Sequence, residues 1–90
     1  MEISFDPSKR LKTLAERGLD FADATQVFQG VAFTIEDDRE PYPEPRFITI
    51  GLLGERMVVL VWTPTADGRR IISMRKANER EQARYRDRLG

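Results

Sequence analysis

Three β-forming runs, Phe47–Leu53, Met57–Thr63 and Arg69–Arg75, follow one another with only Gly54-Glu55 and Thr65–Gly68 as turns between them. Parallel neighbours need a crossover of about a dozen residues or more. Connections this short therefore dictate hairpins and an antiparallel sheet. A fourth run, Val31–Ile35, comes earlier, separated by an acidic loop, Glu36–Pro45, that holds three prolines. That loop is the one segment expected to be disordered.

The first thirty residues read differently. Ile3 and Phe5 alternate with polar residues, as in a short strand. Asp6-Pro7 is an N-cap followed by proline at the first helical position. Leu11, Leu14 and Ala15 share one side of the helix that follows, and Gly18 ends it. Asp20 caps a second helix, with Asp23 three residues on as a short capping box. Phe21, Ala24, Val27 and Phe28 form its apolar face, and Gly30 ends it. Near the other end, Asn78 caps a last helix with Glu81 completing the capping box, running through Tyr85 towards Leu89. The order is β-α-α-β-β-β-β-α. The expected class is α+β, as one domain over residues 1–90.

Composition removes whole classes of chemistry. The 90 residues include no Cys and no His. Disulfides, thiolate zinc sites and catalysis by Ser-His-Asp or Cys-His are excluded within this chain. No apolar run nears the roughly 20 residues of a membrane helix, and residues 1–6 lack the basic and apolar regions of a secretory signal. The expected location is cytoplasmic, away from membranes.

Net charge is zero, yet unevenly spread. Residues 1–45 hold five basic residues against ten acidic ones, and residues 46–90 hold the reverse. Such asymmetry points to a polyanion-binding face in the second half. Twelve of the fifteen basic residues are arginine, whose planar fork suits phosphate and carboxylate.

The densest cluster runs from Arg69 to Lys76, followed by Arg80, Arg84, Tyr85, Arg86 and Arg88. Regular alternation would send Ile71, Ser73 and Arg75 one way and Arg70, Ile72 and Met74 the other. Apolar residues on both sides imply that both faces are partly covered. A cation there needs a carboxylate or a phosphate. Arg80 and Arg84 share a helix face, with Glu81 and Tyr85 on the adjacent line. Two readings fit: a phosphate-binding groove between last strand and last helix, or a solvated basic helix laced with ion pairs.

Other features are weaker. Arg46 either joins that groove or pairs with Glu44 or Glu36. Trp62, among valines, reads as core. Asp37-Asp38 with Glu36 and Glu40 has the donors for a cation, but a solvated acidic loop explains them more simply. Tyr42-Pro43-Glu44-Pro45 reads as a rigid loop, and Gly51–Gly54 as part of a turn. No phosphate-binding glycine loop is present.

Taken in order, the anchors are Phe5-Asp6-Pro7 with Lys9, Gly18-Leu19-Asp20-Phe21 with Ala24, Arg46-Phe47, Ile50-Gly51, Val58–Thr63, and Arg70-Ile71-Ile72-Ser73-Met74-Arg75-Lys76-Ala77 with Glu81 and Tyr85. Together they resemble the BrnT family of bacterial type II toxins, within the RelE-like ribonucleases. The resemblance implies a RelE-like fold and a metal-independent endoribonuclease that needs no cofactor. Its RNA substrate would be cleaved by the RNA's own 2′-hydroxyl, free or on the ribosome, inhibiting translation and growth. It also implies a ribbon-helix-helix, BrnA-like antitoxin, through which alone the pair reaches operator DNA. A catalytically weak partner that acts only as co-repressor is the alternative.

Carried onto this chain, the family pattern makes Arg46, Arg70, Arg75, Lys76 and Tyr85 the catalytic set. Arg75 and Arg46 would meet the scissile phosphate, and Lys76 or Tyr85 would move protons. Arg80, Arg84 and Ser73 would bind flanking RNA. The pattern departs at Glu16-Arg17, where the family usually carries Lys-His, and at Thr65, where it often carries Arg.

Overall fold

The computed structural model describes residues 2–89. It contains β1 (Glu2–Phe5), α1 (Pro7–Arg17), a 3₁₀ turn (Phe21–Asp23) running into α2 (Ala24–Gln29), β2 (Ala32–Glu36), β3 (Phe47–Leu53), β4 (Arg56–Pro64), β5 (Gly68–Lys76), α3 (Glu79–Tyr85) and a final 3₁₀ turn (Arg86–Arg88). The α+β class and the element order agree with the sequence reading. The caps do too. Asp6 and Asp20 accept from the backbone N–H groups of Ser8 and Ala22, Gly18 adopts the left-handed conformation at φ 67°, and Asn78 and Glu81 form a reciprocal capping box.

One sheet runs in the order β1-β5-β4-β3-β2. The pairs β2–β3, β3–β4 and β4–β5 are antiparallel, as short connections require. β1 departs from that expectation and pairs parallel with β5. More than sixty residues separate these two strands in the chain, so no tight turn fixes their relative direction.

Each face of the sheet carries a core. On one, Val58, Leu60, Trp62, Ile71 and Met74 pack under Leu19, Phe21, Ala24 and Val27 from the α2 region. On the other, Ile50, Met57 and Val59 pack under Ala77, Tyr85 and Leu89. Trp62 is core, and its buried indole N–H donates to Thr49 Oγ1 at 2.8 Å.

Helix α1 lies contrary to its apolar pattern. None of its residues is buried, and Leu11 and Leu14 are 65% and 41% exposed. Its half-buried residues are Arg10 and Thr13. Arg10 grips Asp20 with two bonds of 2.7 and 3.0 Å, and Arg17 donates to the Met74 carbonyl at 2.9 Å. Polar anchors, rather than the leucine stripe, set the helix's rotation.

The acidic loop is held at both ends instead of lying loose. The Asp37 N–H donates to the Arg46 carbonyl at 2.8 Å, and the Thr63 hydroxyl donates to the Pro45 carbonyl at 2.6 Å. The buried Asp37 carboxylate takes two bonds from Arg39, at 2.7 and 2.8 Å. That pairing occupies the carboxylate on which a cation site would have depended.

A bulge corrects the simple alternation along β5. Val61 pairs with Ser73 but Trp62 pairs with Ile71, leaving Ile72 as an extra residue. An extra residue reverses the facing of everything beyond it. Ile71 and Met74 therefore meet in one core. Ser73 and Arg75, opposite Val61 and Val59, look to the other face, which Arg70 opposite Thr63 shares.

Candidate functional site

A pocket of about 340 Å³ opens between β5 and α3. Its floor is apolar, made by Ile48, Ile50, Val59 and Val61, and Ile35 lies at its margin. Around the floor stand Arg39, Ser73, Arg75, Arg80, Glu81, Arg84 and Tyr85. Four cations against one carboxylate above an apolar floor suit an anion with a flat or apolar body.

Arg75 is placed by β5 and fixed by α3. Its two terminal nitrogens each donate to a Glu81 oxygen at 2.7 Å. Glu81 Oε1 also accepts from the Asn78 N–H at 2.9 Å, so the residue that caps the helix also orients the arginine. The hydrogen bonds from Arg75, aided by that backbone N–H, bring the Glu81 carboxyl down to about 2, and those to Glu81 push Arg75 upward. A guanidinium has five N–H donors, so this pairing leaves others for a ligand.

Arg80 and Arg84 sit one turn apart on α3, both exposed and without an ion pair among the described residues. Tyr85 is buried, its ring tilted against Phe33 at 5.4 Å between centroids. Arg39 reaches the pocket from the acidic loop, and its two bonds to Asp37 shift it upward.

Of the residues singled out from the sequence, the fold brings Ser73, Arg75, Arg80, Arg84 and Tyr85 together. Arg46, Arg70 and Lys76 do not line this pocket. The guanidinium of Arg46 lies 4.2 Å over the Tyr42 ring, and its buried Nε has no partner among the described residues. Neither Glu44 nor Glu36 pairs with it. Arg70 is exposed beside β1, opposite Ser4. Lys76 is exposed opposite Val58, whose side chain belongs to the α2-side core, so the pleat directs it away from Arg75.

Arg39 and Glu81 are pocket residues that the sequence reading did not name for a site. Glu81 carried a signal, since a capping-box glutamate six residues after a strand arginine faces back towards that strand. Arg39 carried none, because the path of an irregular loop has no period. The divergent pair Glu16-Arg17 lines a smaller groove of about 190 Å³ with Lys9, Lys12 and Ser73. Arg69, stacked 4.1 Å from the Phe28 ring and 4.6 Å from the Trp62 ring, serves the α2-side core, where burial lowers its pKa.

No helix among the described residues is long and apolar enough to cross a membrane. A search of curated proteins gives no match. Residues 5–81 match the family model described as the ribonuclease toxin, BrnT, of type II toxin-antitoxin systems. That stretch runs from the end of β1 to the first three residues of α3, and with it takes in the strand and the capping glutamate that build the pocket. The chain belongs to the BrnT family of ribonuclease toxins.

Proposed function

We propose that the β5–α3 pocket binds an RNA phosphodiester and promotes attack by the adjacent 2′-hydroxyl, leaving a 2′,3′-cyclic phosphate and a free 5′-hydroxyl. The observation that carries this reading is the convergence of Arg39, Arg75, Arg80 and Arg84 with Tyr85 on one pocket of a ribonuclease-family chain that has no histidine.

In-line attack concentrates negative charge on the non-bridging oxygens. Fixed donors aimed at that charge contribute ~10²–10³ each in rate. Arg75, held rigidly by Glu81, is the donor for the scissile phosphate. Arg80 and Arg84, one helical turn apart and without an ion pair among the described residues, take flanking phosphates. Tyr85 is the proton-transfer group that lines the pocket; its phenol O–H is a donor that can pass a proton to the leaving 5′-oxygen. The apolar floor offers a surface for a base. No step requires a metal or cofactor. Arg46, Arg70 and Lys76 would act outside the pocket, on RNA that extends beyond it. In the cell this activity would stop translation, held in check by the antitoxin, with operator DNA reached only through that partner.

The Arg75–Glu81 pair also supports a second reading, a weakened nuclease that works mainly as antitoxin partner and co-repressor. Its key cation is already neutralised by a carboxylate.

The test is induction of this chain alone beside an Arg75→Ala variant at equal level, with purified chains then incubated with RNA. Growth arrest and 2′,3′-cyclic ends from the parent, and loss of both by ~10²-fold or more in the variant, are expected. Folded parent protein that neither arrests growth nor cleaves at any concentration would leave the partner reading standing.

A further inference from the structure

The sheet has one outer strand in which three of the five residues are apolar and the one charge stands at the end. β2 lies at the end of the strand order and carries Ala32-Phe33-Thr34-Ile35-Glu36. All but Phe33 are exposed; Ile35 is 42% exposed, and Val31 just before the strand is 65% exposed. Its inner side pairs with β3. Its outer side leaves every second residue's N–H and C=O without a strand partner. Soluble proteins guard such edges with lysine, proline, a bulge or a covering element. β2 has no lysine or proline, and its register with β3 runs without a bulge. β1, the opposite edge, is guarded by its four-residue length.

One flank of this edge is cationic, while the acidic loop continues from its end at Glu36. Ile35 forms part of the β5–α3 pocket wall beside Arg39 and Arg84. The Arg88 guanidinium lies 5.0 Å from the Phe33 ring. Arg84 and Arg88 are exposed and without a carboxylate partner among the described residues. A row of backbone hydrogen-bonding groups with protruding Val31 and Ile35 suits a polypeptide, not a phosphate backbone. Cations at the flank favour acidic side chains on that polypeptide.

We infer that β2 is the docking edge for an extended segment of the antitoxin, which adds as a sixth strand, sets an apolar side chain against Ile35 and turns acidic side chains towards Arg84 and Arg88. This rests on the reading of the chain as the toxin of a pair. It adds the mode of inhibition. A strand seated on β2 lies along the wall of the RNA pocket and satisfies its cations from the side, so backbone pairing supplies affinity and the acids close the pocket.

The experiment is hydrogen exchange of this chain, free and co-purified with the antitoxin, followed by the same measurement with a 2′-O-methyl RNA that cannot be cleaved. Slower exchange across residues 31–36 in the antitoxin complex only is expected. A Val31→Lys, Ile35→Lys variant, shown to be folded by circular dichroism, should bind the antitoxin at least tenfold more weakly. Protection confined to α3 or α1 in the complex would overturn the proposal. Protection of 31–36 by the RNA would assign the edge to substrate. Concentration-dependent protection in the free chain would assign it to a second copy. None of these readouts depends on cleavage, so a failure here is separable from a failure of the nuclease reading.

Discussion

Arg75 and Glu81 are joined by two hydrogen bonds of 2.7 Å that link the end of β5 to the first turn of α3. Both residues line the site, and the charge on the Glu81 carboxyl depends on pH. The Glu81 carboxyl sits at about 2, below its ordinary 4.5. A depressed carboxyl contributes stability above its unfolded value, and that contribution is lost as pH falls from about 5 towards 2. The Arg75 side chain is 44% exposed, so solvent screening holds the pair to roughly 1 kcal/mol at most. Glu81→Gln keeps a residue competent in the capping box but removes the charge. Denaturant unfolding from pH 7 to 2 should show a smaller acid-side loss in the variant than in the parent. Equal losses would mean that the pair contributes nothing.

The polar chain Thr34–Thr49–Trp62, buried at Thr49 and Trp62, gives a second prediction. The two hydroxyls are 2.8 Å apart, and Thr49 accepts from the indole. Thr49→Val preserves shape but leaves the indole N–H of Trp62 without a partner. An orphaned buried donor costs ~1–3 kcal/mol. Urea midpoints should fall accordingly with the m-value unchanged. An unaltered midpoint would mean that the indole finds another acceptor.

The parallel edge yields a third. A Cβ at Gly68 would collide with the backbone of Glu2, its partner in β1. Backbone cannot rotate away as a flexible side chain can, so Gly68→Ala should displace β1 at ~1–3 kcal/mol. For a domain of this size each kcal/mol lowers Tm by about 4–8 °C. A scan showing no shift would place β1 elsewhere.

Helix α1 supplies a fourth. Because Leu11 is largely exposed, Leu11→Lys should change stability by no more than about 0.5 kcal/mol. A loss of 2 kcal/mol or more in thermal unfolding would restore the leucine stripe to the core.

That last case shows where the sequence was legible and where it was not. Signals that act over a few residues were readable: the caps at Asp6, Asp20 and Asn78, the left-handed Gly18, the hairpin turns and the apolar face of α2. What depended on distant partners was not. Leu11 and Leu14 have a helical core spacing, but the Arg10–Asp20 and Arg17–Met74 bonds turn the helix the other way. β1 has no local cue to its parallel partner. For the site, the cluster on β5 and α3 was visible as charge density, which brought Ser73, Arg75, Arg80, Arg84 and Tyr85 into view. The separation of Lys76 and Arg46 from them comes from the pleat and from the path of a proline-rich loop. Neither is written in a residue's own identity.

The extra residue at Ile72 reaches further than a local kink. It makes β5 a strand written in two frames, so that Arg70 and Arg75, an odd number of positions apart, look the same way. Removing residue 72 would leave every neighbour on its present side. Closing the bulge by sliding the strand one step would instead drive Arg75 towards the α2-side core and turn Met74 into the pocket. The hydrophobic interior thus acts as the lock that keeps the reactive face in frame, and a substitution at Met74 would reach the site without touching it.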